Sequence, residues 1–331
     1  MLSAGIRSAT WQPTYVAADL QPSRLHTPEE LDELMTTAMD TRAGCMVGDR
    51  TSVEARFGLH DCQLTADGNR CAFRIPSWAR DRSGRPRVGT LMVLADHILG
   101  ELPYLSRPPK TWTLTGELTL DIISAVPLDG ELFAEARTVA RRSETFVECR
   151  ITDRTGEIVA AGTTRSVTVP AVGADPLADN AARDDAARYD VPIEYGGIDR
   201  VLGLSYRPSG DLLHVTMADP DGWVNGFGIM HGGVSACVTE LAAAEYVNAR
   251  NPDLHTAHVH TTYLRPVVVG SPYVATARAY HVGRSSAVVE VLGFGGSGEL
   301  CTVSTVTARR LGSGDRASTL TSTPTDEDGA R

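Results

Sequence analysis

The chain has 331 residues, enough for one large or two ordinary domains, and its 42% hydrophobic and 22% charged residues are the balance of a globular protein. A net charge of −10 at pH 7 speaks against nucleic acid or an anionic membrane as a partner of the whole molecule, though not against a local basic patch for one phosphorylated ligand. Six scattered cysteines without a CxxC pair or metal-ligand spacing, no signal-peptide core and no run of about 18 apolar residues predict free thiols, no bound metal, no membrane span and a cytoplasmic setting.

Residues 1–55 read as an extension. In it, HTPEELDELM offers Thr27 as an N-cap, Pro28 at the first helical position, and Leu31, Leu34 and Met35 as the apolar side of a short helix. Residues 56–170 form a first unit. FGLHDCQLTADGNRCAFRIP predicts two strands around a turn, VGTLMVLADHILGELPYL an apolar helix, and WTLTGELTLDI, GELFAEARTVARR, TFVECRITDR and EIVAAGTTRSVTV further strands. Residues 171–198, rich in Pro, Ala and Asp without apolar periodicity, predict a linker. The same layout returns over 199–311: LGLSYRPSGDLLHVTMADP, then the helix GGVSACVTELAAAEYVNA, then TAHVHTTYLRPV, SPYVATARAYHV, SAVVEVLGF and LCTVSTVTARR. The polar tail, 312–331, predicts disorder.

The two units are a duplication. Asp96 to Glu240 is a step of 144, as is Leu120 to Leu264, whereas FAEAR at 133–137 meets VATAR at 274–278 at a step of 141. On that reading a three-residue gap falls in the turn after Leu120. A helix apolar nearly all round must be buried on several sides, which an antiparallel sheet wrapped around it provides. Two such sheets side by side would join into one and remove two edges. The predicted class is α+β: two repeats in an intrachain pseudo-dimer.

Each helix carries an acid in its apolar stripe at the same register. Glu240 has Ala236, Cys237, Ala243 and Ala244 at helical spacing, and Asp96 has Met92, Val93, Leu99 and Gly100. Burial disfavours the carboxylate form and raises its basicity, which suits a general base or nucleophile; a buried structural acid leaves the same pattern. Ahead of the second helix, Asn225, His231 and the Gly232–Gly233 pair offer an amide, an imidazole and free N–H groups at the positive end of the helix dipole. Donors for an oxyanion beside a carboxylate base point to acyl-transfer hydrolysis.

The pattern from Asn225 through His231-Gly232-Gly233 to Glu240 resembles the active-site signature of hotdog-fold acyl-CoA thioesterases of the PaaI and 4-hydroxybenzoyl-CoA thioesterase group. TAHVHTTYLRPVVVG is similar to the strand that follows there, with Thr256 where some members have an assisting Ser or Thr. The resemblance covers 202–311 well and 57–169 more loosely. It implies two tandem hotdog units, sites at their interface, and each acid facing the other unit's loop. Asp96 would then face Asn225, His231 and Gly232, while Glu240 and Thr256 face the first-repeat loop ARDRSGRPRVG. That loop departs from the pattern: Asp81 stands at the position of Asn225 and Arg87 at that of His231, with Gly89 kept at that of Gly233. The Asp96 site is therefore expected to be the more complete.

The implied reaction is hydrolysis of an acyl-CoA thioester, in fatty or aromatic acyl metabolism, with coenzyme A as part of the substrate and no other cofactor. Arg265, Arg284, Arg87 and Arg82, with Arg80 and Arg85, are candidates for the CoA phosphates. A homodimer of the whole chain is expected. Two other readings stand beside it. A hotdog hydratase or dehydratase finds one feature, Asp96 next to His97, and lacks a GDxNPxH string; a non-catalytic acyl-CoA-binding protein would fit the altered first loop.

Overall fold

The computed structural model describes residues 52–65, 68–81, 84–127, 130–171 and 197–310. The expected helix at 27–35, most of the linker, the tail and Arg82 lie outside these residues. The first repeat runs α1 (Val53–Arg56), β1 (Leu59–Thr65), β2 (Gly68–Arg74), α2 (Thr90–Leu105), β3 (Thr111–Ile122), β4 (Glu131–Arg141), β5 (Glu144–Thr152) and β6 (Ile158–Pro170). The second runs α3 (Gly197–Val201), β7 (Leu204–Ser209), β8 (Leu212–Met217), α4 (Gly232–Asn248), β9 (Leu254–Tyr263), β10 (Tyr273–Val282), β11 (Ser286–Phe294) and β12 (Leu300–Arg310). Both repeats add a 3-10 turn before the long helix, at Ser77–Ala79 and Asp221–Trp223. The α1 helix straddles the expected boundary between extension and first repeat and is the counterpart of α3.

All the described strands form one antiparallel sheet in the order β1-β2-β4-β5-β6-β3-β9-β12-β11-β10-β8-β7. The repeats meet at β3 and β9, where Glu117 pairs with Thr262 and Asp121 with His258. Joining them there turns two would-be edges into central strands. The concave face covers α2 and α4, which pack on each other and are buried nearly all round, as their unbroken apolar sequences require. Strand sequences alternate accordingly: in β11, Ala287, Val289 and Val291 are buried and their neighbours are not. One hydrophobic core runs through both repeats.

Two expectations change. The three-residue gap between repeats falls before β3, not after it. Thr119 on β3 pairs with His260 on β9 across the pseudo-twofold axis, and their side chains hydrogen-bond at 2.8 Å, which makes them counterparts at a step of 141. Ladder irregularities agree, following Thr115 in β3 and Thr256 in β9, again 141 apart. Leu120 therefore corresponds to Thr261 rather than Leu264. The chance recurrence of leucine in two apolar strands hid the shift.

The cysteines are not all free: Cys62 and Cys71 are bonded across the β1–β2 hairpin, beside an irregularity in its ladder. A separation of 9 residues carries no disulfide signature in sequence; the hairpin brings the two together. Cysteine usage thus gives no argument for a reducing compartment. Among the described residues no helix is long and apolar enough to cross a membrane.

Candidate active site

The duplication builds two sites from equivalent parts, on either side of the α2–α4 contact. In the first, the Gly233 N–H donates to Asp96 Oδ2 at 2.6 Å and the Thr115 hydroxyl reaches Oδ1 at 3.4 Å. His231 Nδ1 lies 3.2 Å from the same Oδ2, and its Nε2 lies 3.2 Å from Glu54 Oε1 on α1. Nδ1 is also 3.1 Å from the Gly233 N–H, as though capping its helix through a neutral ring. The two carboxylates decide for the doubly protonated ring, and Gly233 then gives its N–H to Asp96 at the shorter distance. Burial opposes the imidazolium, yet Asp96 and Glu54 outweigh it and push His231 up to about 9. Glu54, although buried, is held well below the usual carboxylate range by His231 and His97.

Both Asp96 oxygens are thus engaged inside the protein. Gly232 is needed for that approach, since a Cβ there would lie 3.0 Å from Asp96 Oδ2. Its own N–H has no hydrogen-bond partner among the described residues. Asn225 turns back on its loop, its side-chain carbonyl accepting from the Phe227 N–H at 2.9 Å. The structure therefore brings Asp96, His231 and Gly232 together, and leaves the Asn225 carbonyl committed elsewhere.

The second site is open. Glu240 is 3% exposed; its Oε1 accepts from the Thr256 hydroxyl at 2.5 Å, while Oε2 is buried without a hydrogen-bond partner among the described residues. Burial raises the Glu240 pKa, and the Thr256 hydrogen bond and the Arg87 charge pull it back in part. Over it opens a cleft of about 1420 Å³ whose wall includes Arg80, Arg85, Arg87, Asp199, Tyr206 and His255. Asp96 does not line this cleft. Neither do Arg265, which is exposed and donates to the Leu300 carbonyl at 2.8 Å, and Arg284, exposed in the β10–β11 turn. Of the arginines expected to meet phosphates, Arg80, Arg85 and Arg87 line the cleft, and Arg82 lies outside the described residues.

Three contributors, Thr115, Glu54 and Asp199, lie outside the motifs that the sequence displays. Thr115 becomes the counterpart of Thr256 only once the gap lies before β3. Glu54 falls within the expected extension, although VEARFGL at 53–59 and IDRVLGL at 198–204 share an acid at the second position and Gly-Leu at the end. That match makes Glu54 the counterpart of Asp199, whose carboxylate accepts from the Tyr206 hydroxyl at 2.5 Å in the cleft wall. A seven-residue echo is too short to find without the fold.

The fold recurs in solved structures. The fold superposes on a TesB protein from Mycobacterium avium subspecies paratuberculosis with a TM-score of 0.55 at 9% identity, over 78% of this chain and 98% of that one. An acyl-CoA thioesterase II from Mycobacterium marinum gives 0.51 at 13% identity, over 80% of this chain and all of the other. A hotdog-fold protein of unknown function from Alicyclobacillus acidocaldarius gives 0.52 at 13%, over 78% and 98%. The chain is a double hotdog. Within the double hotdog, residues 227–302 match the family model of the thioesterase superfamily, a span that holds His231, Gly232, Glu240 and Thr256. No curated protein matches the chain.

Proposed function

We propose that the protein hydrolyses acyl-CoA thioesters at the Glu240 site. The observation that carries this reading is the pairing of Thr256 with one oxygen of a buried carboxylate whose other oxygen is unpartnered beneath an open cleft. The superfamily match over the same residues supports the thioester as the bond broken. Glu240 takes a proton from water as the water oxygen attacks the thioester carbonyl carbon. The tetrahedral oxyanion collapses, the C–S bond breaks, and Glu240 returns the proton to the departing sulfur. The raised pKa of Glu240 suits both transfers near neutral pH. Thr256 fixes the carboxylate's orientation. Arg80 and Arg85, on the cleft wall, would meet the CoA phosphates.

The dehydratase reading loses its one feature, because His97 is buried against Glu54 at 3.7 Å and Cys62 at 4.0 Å. The sequence favoured Asp96 as the working acid; the geometry favours Glu240, since Asp96 has spent both oxygens on Thr115, Gly233 and His231. Free-thiol release across a panel of aliphatic and aromatic acyl-CoAs tests this. We expect Glu240→Gln to lower kcat by about 100-fold or more, within the range assigned to general acid–base groups, and Asp96→Asn to lower it far less. Binding of acyl-CoA by the wild type without thiol release would make the chain a binding protein instead. Full turnover in Glu240→Gln would move the chemistry elsewhere.

A further inference from the structure

Resting on that hydrolase reading, we infer that Arg87 is a catalytic residue of the Glu240 site, its Nε–H supplying the hydrogen bond that receives the thioester carbonyl oxygen as it becomes an oxyanion. Arg87 occupies the position of His231, at the step of 144 that also relates the two 3-10 turns and the isolated bridges Arg80–Pro86 and Val224–Met230. His231 spans two acids, Glu54 and Asp96, and touches both. Arg87 has the counterpart acids, Asp199 and Glu240, on the wall of the same cleft, yet it forms no ion pair with either among the described residues. Asp199 accepts instead from the Tyr206 hydroxyl.

Arg87 Nε and Glu240 Oε2 are both buried without a hydrogen-bond partner among the described residues. A buried guanidinium N–H left unmade costs more than an ordinary missing bond, because the donor has lost water and gained nothing. Two such orphans of opposite kind, a donor and an acceptor in one cleft, are the complement of a polarised carbonyl and a water molecule. Val88 stands where the second loop has Gly232, so a branched side chain lines the cleft where the other loop has only a hydrogen. A fixed cationic N–H beside it adds charge opposite the developing negative oxygen.

The competing role for Arg87 is a phosphate contact, and the two separate cleanly. Arg87→Gln and Arg87→Lys would be assayed for kcat and KM on an acyl-CoA and on the same acyl group carried by N-acetylcysteamine, which has no phosphates. Matched melting temperatures, with Lys as the milder variant, establish that the fold is kept. The inference expects kcat to fall by roughly 100-fold or more on both substrates, the loss typical of removing one oxyanion donor. It also expects Arg87→Gly to regain part of its kcat when free guanidinium is added. A defect in KM alone, present with acyl-CoA and absent with the truncated thioester, would overturn it in favour of phosphate binding. Wild-type turnover by Arg87→Gln on both substrates would overturn it outright and leave the hydrolase reading standing. A wild type that releases no thiol from either substrate would remove both.

Discussion

Glu240 and His231 are both buried ionisable groups, but their surroundings drive them in opposite ways. Around Glu240 the burial penalty wins and its pKa goes up, with Thr256 and Arg87 restraining it. A general base works when ionised, so kcat/KM should rise with pH along a limb above the ordinary carboxylate range. Thr256→Val, which removes a restraint, should move that limb to higher pH; a limb that stays put would argue that another group is the base. Around His231 two carboxylates defeat the burial penalty and hold the ring charged up to about 9. A raised histidine pKa gives stability that is complete below its ordinary value of 6.5 and disappears as pH climbs to about 9. The depressed Glu54 gives stability that is complete above 4.5 and lost as pH falls through its lowered pKa. The pair therefore contributes fully between 4.5 and 6.5. The urea midpoint should fall from pH 6 to pH 9.5, by an amount on the order of 2–3 kcal/mol in unfolding free energy. His231→Gln should flatten that slope; an unchanged slope would mean that the ring is neutral. Sequence made Glu240, Thr256 and His231 visible because each sits inside a local motif. Glu54 and Asp199 were not visible, since their part depends on short helices arriving from outside the motif.

At the scale of elements, the two long helices come within reach of each other because glycine stands at each crossing. A Cβ on Gly233 would lie 2.7 Å from Val93 Cα and 2.9 Å from the Met92 carbonyl oxygen, both backbone atoms that cannot step aside. Gly233→Ala should destabilise the protein by about 1–3 kcal/mol, the usual cost of overpacking, read from the denaturation midpoint. The counterpart differs in what it meets: a Cβ on Gly89 would lie 2.8 Å from Glu240 Oε2. Gly89→Ala should therefore act mainly on turnover, by displacing the carboxylate, and less on stability; equal losses of stability in both variants would contradict this. Helix and strand identities were legible because their apolar periods, all-round in α2 and α4 and alternating in β11, reflect burial directly. The ladder irregularities after Thr115 and Thr256 were not. They arise from pairing with neighbouring strands, and they adjoin the very threonines that reach the acids.

Across the whole molecule the repeats share a sheet, a helix pair and a core, so they should unfold together. Phe57 of the first repeat packs edge-on against its own Trp78 at 5.2 Å and against Trp223 of the second at 5.6 Å. Tryptophan fluorescence and far-ultraviolet circular dichroism should trace a single superimposable transition in denaturant; two separated transitions would show that the repeats are independently stable. The internal repeat and the wrapped helices could be argued from sequence, but the cleft over one acid and the engagement of both oxygens of the other could not. Both depend on whether the group at one loop position reaches its two acids, as the imidazole of His231 does and the guanidinium of Arg87 does not.

The joining of both repeats in one polypeptide has a consequence for how such a molecule can change. In a symmetric dimer of identical chains, any substitution appears at both interfaces at once, and a replacement that opens one site must open the other. Here a single codon alters one loop and spares its twin. One interface is an ion-paired brace while the other carries a cationic residue beneath a cleft, a division of labour closed to identical subunits.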